Sequence, residues 1–162
     1  MVLYQDALLE RVIKIIIMEI RFAFAVNQLN GFEPEHFGNA DKYLIFKWEH
    51  NELVFLKEEI NTFKNHDETQ EHGLKEKGRA IIDLLQDLNV KVLVSRQFGK
   101  NIGMINRHFI PVIVFSDTVE DVESIMKKHI KWIKDELINK PREFKLFTIK
   151  NGILKPVIRG RD

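Results

Sequence analysis

The sequence predicts an α/β fold with one mixed sheet and helices on its faces. Three observations predict it. Apolar runs of strand length, separated by turn residues, fill positions 20–60. From residue 78 onward, helix-period stretches alternate with strand-like runs. Asn151-Gly152 then sits between two strand-like runs, a strong short hairpin signal. Alternation calls for parallel strands joined by helical crossovers, hairpins call for antiparallel neighbours, and together they make the sheet mixed.

Residues 8–17 are apolar but interrupted by Glu10, Arg11 and Lys14, too short and too charged a run to span a bilayer. No small-residue cleavage site follows, so a signal peptide is not expected. Residues 1–17 have two readings. One is an appendage or over-called start outside the core fold, with Met18 just before the first strand. The other is a short amphipathic helix packed on the domain or on a partner subunit.

Residues 20–26 (IRFAFAV) are almost wholly apolar and predict a strand buried on both faces. Asn30-Gly31 and Pro34 mark residues 28–38 as a loop. Residues 43–48 and 53–60 predict two strands around the turn 49–52, a β-hairpin. Residues 61–75 are polar and charged, carry His66 and His72, and predict a long exposed loop. Ala80, Ile81, Leu84, Leu85 and Leu88 recur at helical spacing, which predicts an amphipathic helix over 78–88. Residues 90–94 predict a strand, 101–109 a short helix, and 110–115 another strand with Pro111 at its start. Thr118 and Asp121 resemble a capping box opening a helix over 119–138, and Pro141 ends it. Residues 144–149 and 153–157 form the closing hairpin, with Pro156 confining its last strand to an edge. The core prediction is therefore a five-stranded mixed sheet plus a C-terminal β-hairpin. Three leading antiparallel strands followed by crossovers are the element order of the ribonuclease-H-like fold.

That fold can host two-metal nucleases, which need carboxylates on the first strand and on neighbouring elements. The first strand has no Asp or Glu, and the fourth ends in Ser95 and Arg96. Asp83 and Asp87 lie four apart on a helix, most simply on a solvated face. Nuclease activity is not expected. A net charge of +1, from 25 basic and 24 acidic residues, gives no electrostatic case for nucleic-acid binding. With no cysteine, disulfides and thiolate ligands are excluded, so a metal would need His, carboxylate, backbone, or sulfur of its own.

Two motifs stand just past buried strands, where α/β sheets present working loops. They are Glu35-His36-Phe37-Gly38 and Arg96-Gln97-Phe98-Gly99-Lys100-Asn101. A loop histidine and a glycine-bearing turn suit the capture of a metal centre or an anion, and no nucleophile or acid/base pair accompanies them. His36 can ligate through a ring nitrogen; the plain alternative is a loop histidine bonded to nearby backbone. His72, beside Gly73, has the same two readings. His66 and His72 lack a diagnostic ligand spacing. His108 and His129 read as core or interface residues. Phe98-Gly99-Lys100-Asn101 can offer backbone N–H groups and the Lys100 ammonium to an anion at a helix N-terminus, or can be an ordinary turn. Arg96 and Arg79 can add positive charge, and Phe37 and Phe98 can wall the pocket or simply plug the core.

From about residue 19 to 137 the chain resembles the dinitrogenase iron–molybdenum cofactor biosynthesis family. The resemblance rests on the first strand, the His36-Phe37-Gly38 loop with Ala40, the strand at 43–45, and His72-Gly73. It continues through Gly78-Arg79-Ala80, Leu84-Leu85, the strand 90–94, Phe98-Gly99-Lys100-Asn101, Ile110-Pro111-Val112 and residues 118–122. Residues 74–77 are more charged than the Gly/Pro-rich stretch common in that family. The resemblance implies residues 18–140 as the family domain, with 1–17 and 141–162 as extensions able to serve dimerisation. It implies a cytoplasmic protein, not an enzyme, that binds or carries an iron–sulfur or iron–molybdenum cluster. His36 is the leading ligand and His72 the second, with anion contacts from residues 96–101. Implied partners are the metallocluster and cluster-assembly proteins, with no nucleic acid, no membrane and a possible homodimer. The alternative is a protein-interaction or regulatory domain of the same fold without a cluster.

Overall fold

The computed structural model describes residues 2–17, 19–65, 71–139 and 141–158. After an N-terminal helix, α1 (Val2–Ile17), come β1 (Ile20–Val26), β2 (Lys42–Glu49) and β3 (Glu52–Ile60). Helix α2 (Glu71–Asp87) leads to β4 (Val90–Ser95), and a single-turn helix α3 (Ile102–Ile105) leads to β5 (Ile110–Val114). Helix α4 (Val119–Asn139) leads to β6 (Phe147–Lys150) and β7 (Ile153–Pro156).

All seven strands form one sheet in the order β3-β2-β1-β4-β5-β6-β7. The pairs β1–β2, β2–β3 and β6–β7 are antiparallel. The pairs β1–β4, β4–β5 and β5–β6 are parallel. This corrects the five-stranded expectation. The closing hairpin extends the sheet because α4 acts as a third crossover and returns the chain beside β5, where Val112 pairs with Phe147. Pro156, without an N–H, lies on the edge strand as expected.

The two faces of the sheet bury different residues. Ile20, Phe22, Phe24 and Val26 of β1 join Val92, Val94, Val112 and Val114 under the α4 residues Val122, Met126 and Ile133. On the other face, Ala23, Ala25, Tyr43, Ile45 and Leu93 meet Ile81 and Leu85 of α2 and Ile105 of α3. The period of two along β1 produces this division. Both two-residue hairpin turns have positive φ throughout: His50 and Asn51 at 50° and 66°, Asn151 and Gly152 at 53° and 75°. The capping box at α4 forms as expected, with Thr118 N–H donating to Asp121 and Asp121 N–H donating to Thr118 Oγ1.

Three further expectations change. Helix α2 begins at Glu71 rather than 78, so the charged stretch 71–77 is helical and His72 and Gly73 lie in its first turn. Glu, Leu and Lys are good helix formers, and the apolar stripe that betrays a helix starts only later in it. The predicted helix 101–109 shrinks to one turn, because the chain must re-enter the sheet at Ile110. His108 lies outside any helix and is exposed, with Nδ1 3.2 Å from Gln86 Nε2. Asp83 and Asp87 are exposed, as a solvated face requires. His66 lies outside the described residues. Helix α1 rests on α4, where Arg11 donates to the Ile138 carbonyl at 2.6 Å. That carbonyl belongs to the last turn, which lacks helical partners.

Candidate functional site

The strand order reverses between β1 and β4, so the loops leaving their C-terminal ends part and leave a crevice between them. In open α/β sheets this is where ligands bind. The loop after β1 is tied down at several points. Asn27 Oδ1 accepts from Leu29 N–H and Gly31 N–H, Glu33 N–H donates to Ala25 O, and Asp41 N–H donates to Val26 O. Asp41 also accepts from Gln28 N–H and from the Lys64 ammonium. These two donors, Lys64 foremost, hold the Asp41 carboxyl below its ordinary range.

The two motifs meet. Phe37 N–H donates to Gln97 O at 2.8 Å, and Gln97 Nε2 donates to Pro34 O at 2.7 Å. Behind this seam the Phe37 and Phe98 rings stack 5.6 Å apart, and Phe37 stacks on Tyr43 at 4.8 Å. Tyr43 is fully buried and donates to Phe37 O, and its burial pushes the phenol well above its usual range. Two glycines close around His36. A methyl group on Gly99 would stand 3.1 Å from His36 Cβ, and one on Gly38 would stand 3.5 Å from the ring. Gly99 has φ +71°, so it is required twice, for the turn and for the close approach.

Buried polar groups brace the loop from below. Asn61 Nδ2 donates to Gly38 O and Ala40 O, both at 2.9 Å. Lys77, 2% exposed, donates to Asn39 Oδ1 at 2.8 Å and to Lys64 O at 3.0 Å. Gly78 lets α2 approach the second loop, since a Cβ there would lie 2.6 Å from Asn101 Nδ2. His36, Phe37, Lys77, Gly78, Ile81, Phe98 and Asn101 are among the residues lining a cavity of about 20 Å³, room for about one water. A metallocluster does not fit inside it. At its mouth stand one histidine, the backbone of a glycine turn and the exposed Lys100. Among the described residues, no three His, Asp or Glu side chains gather as a metal ion would require.

The structure thus brings His36, Phe37, Gly38, Phe98, Gly99 and Asn101 together. Arg96 instead turns to an open groove of about 610 Å³ with Leu29, Phe115 and Asp117. Lys100 is exposed beside the turn. The helix after this turn is a single turn, Ile102–Ile105, so it has little macrodipole to offer an anion. His72 and Gly73 open α2, the helix whose later residues Lys77 and Gly78 line the cavity. Asn61 and Lys77 went unrecognised in the sequence. Each sits in a polar stretch, and nothing in its neighbours signals burial.

Among the described residues no helix is long and apolar enough to cross a membrane. Comparison with curated proteins finds none that matches the chain. The family model for the dinitrogenase iron-molybdenum cofactor matches residues 18–131, which run from just before β1 into α4 and contain every residue of the crevice. The chain therefore belongs to the dinitrogenase iron-molybdenum cofactor family.

Proposed function

We propose that this protein binds or carries a metallocluster of iron–sulfur or iron–molybdenum type at the mouth of the His36 crevice, without catalysing a reaction. The observation that carries the reading is the joining of the two loops by Phe37 N–H and Gln97 O, with the His36 ring between Gly38 and Gly99. A loop histidine held this way loses little freedom on binding, which favours capture of a ligand. His36 is the first ligand to the cluster and His72 the second. Lys100 and the backbone N–H groups of the 98–101 turn balance its negative charge. The cluster brings its own sulfide, which reconciles binding with a chain that has no cysteine. Its donors and acceptors would be cluster-assembly proteins in the cytoplasm. The order of the first five strands, β3-β2-β1-β4-β5, supports the ribonuclease-H-like reading of the fold. The crevice offers a seat for cargo.

The test is iron and molybdenum analysis with visible absorption, on protein incubated anaerobically with an iron–sulfur cofactor precursor, beside His36→Ala and His72→Ala. Stoichiometric metal in the wild type, lost in His36→Ala, supports a carrier with His36 as ligand. Metal at background in the wild type retires the carrier and leaves a protein-interaction domain of the same fold.

A further inference from the structure

The chain holds two Asn-Gly pairs, Asn30-Gly31 and Asn151-Gly152. Such a pair can react with itself. The glycine nitrogen, unhindered by a side chain, attacks the asparagine Cγ. Its proton leaves with the side-chain nitrogen as ammonia, and a succinimide ring closes. Water then opens the ring at either carbonyl. Opening at Cγ gives aspartate, and opening at the main-chain carbonyl gives isoaspartate, whose backbone runs through Cβ. Both asparagines and both glycines are exposed, and both asparagines have positive φ, 66° at Asn30 and 53° at Asn151. Neither exposure nor backbone region separates the two pairs.

Hydrogen bonding does. Gly31 N–H, the nucleophile at the first pair, donates to Asn27 Oδ1 at 3.1 Å, and Gly31 O accepts from Asn27 N–H at 2.8 Å. Asn30 N–H donates to Asn27 O, and the next residue, Phe32, is buried and bridged to Val26. A Cβ on Gly31 would stand 3.4 Å from Asn27 Nδ2, whereas one on Gly152 would meet open space. Among the described residues Gly152 N–H has no hydrogen-bond partner. Its turn joins two strands of four residues each, the last two in the sheet order. Short outer elements open locally at lower free energy than core strands do.

We propose that Asn151 is a site of spontaneous deamidation and that its conversion undoes the closing hairpin. A two-residue turn with positive φ at both positions sets the register of its strands. Isoaspartate lengthens that turn by one methylene, which unpairs Lys150 from Ile153 and loosens Leu154 from the core. This inference stands apart from the cluster reading and survives its failure.

The test keeps the full chain warm at mildly alkaline pH, digests it at low pH, where the reaction halts, and resolves the peptides by mass and retention. The peptide carrying residues 151–152 should convert several times faster than the one carrying 30–31, with isoaspartate among its products. In urea the two should convert at similar rates, because the bonds that set them apart are gone. The urea midpoint of the wild type should fall on ageing. Asn151→Gln, which would have to close a larger ring, should keep its amide and its own midpoint. Equal or faster conversion at Asn30 in the folded protein, a difference that persists in urea, or a midpoint unmoved by conversion at Asn151 would each overturn the proposal.

Discussion

Under α4, β1 buries Ile20, Phe22, Phe24 and Val26; under α2 and α3 the same strand offers only Ala23 and Ala25. On the α4 side the space is filled by rings and branched chains, with Phe24 set 4.8 Å from Phe46 and 5.7 Å from Phe32. On the other side, the buried Lys77 and Asn61 hydrogen-bond to the His36 loop. One face is built for packing. The other gives up packing volume to position a loop, which is where buried polar groups, close-approach glycines and a small cavity are tolerated.

Substitutions can break this comparison, beginning with the largest expected effect. Phe24→Ala should cost about 3–5 kcal/mol of stability, read as a lower urea midpoint. The NMR signals of the His36 ring in the folded fraction should stay in place. Equal disturbance of both faces would show that they are not independent.

Asn61→Ala should cost less, roughly 1–3 kcal/mol, by leaving two buried carbonyls without a donor. It should move the resonances of residues 36–40 and leave those of α4 unchanged. If hydrogen exchange in 36–40 stays at wild-type rates, Asn61 does not brace the loop.

Gly99→Ala forces a side chain into a left-handed turn at a cost of about 1–2 kcal/mol and crowds His36 Cβ. It should shift the His36 ring and weaken metal uptake in the anaerobic assay. The same substitution at Gly103, which has open space around a Cβ, should slightly favour its short helix and serves as the control. Similar uptake in both variants would remove Gly99 from the site.

The smallest effect concerns pH. Lys64 lowers the Asp41 carboxyl below 3.8, so the pair's contribution is present above that value and is lost as pH falls through the folded pKa. Asp41 in turn raises the Lys64 ammonium above 10.5, so the same contribution is lost as pH rises through that folded value. Between these limits the pair's contribution should be flat. Asp41→Asn should flatten the acid side of the stability–pH profile by a small amount, since the pair is partly exposed. An unchanged acid limb would show that the pair adds nothing.

The strands and hairpins were legible because each has its own local signal. Nearly unbroken apolar runs mark β1, β2 and β4, and Asn-Gly marks the last turn. The start of α2 was not legible, because residues 71–77 look like a solvated loop until the helix carries Lys77 beneath the His36 loop. That the closing hairpin joins the sheet was not legible either, since a local pattern identifies a hairpin without saying which strand lies beside it.

The site divides in the same way. The residue types His36, Gly38 and Gly99, and their places just past strands, could be read directly from the chain. Their meeting depends on β1 and β4 being parallel neighbours, a long-range pairing with no local trace. Composition and periodicity by themselves determined a mixed α/β sheet, the absence of thiolate chemistry and the two loops worth watching. Tertiary structure decided that the loops touch, that Arg96 turns to a separate groove and that Lys77 and Asn61 brace the seam. The physical reason is that burial and hydrogen-bond partnership belong to pairs of segments, and the sequence lists segments one at a time.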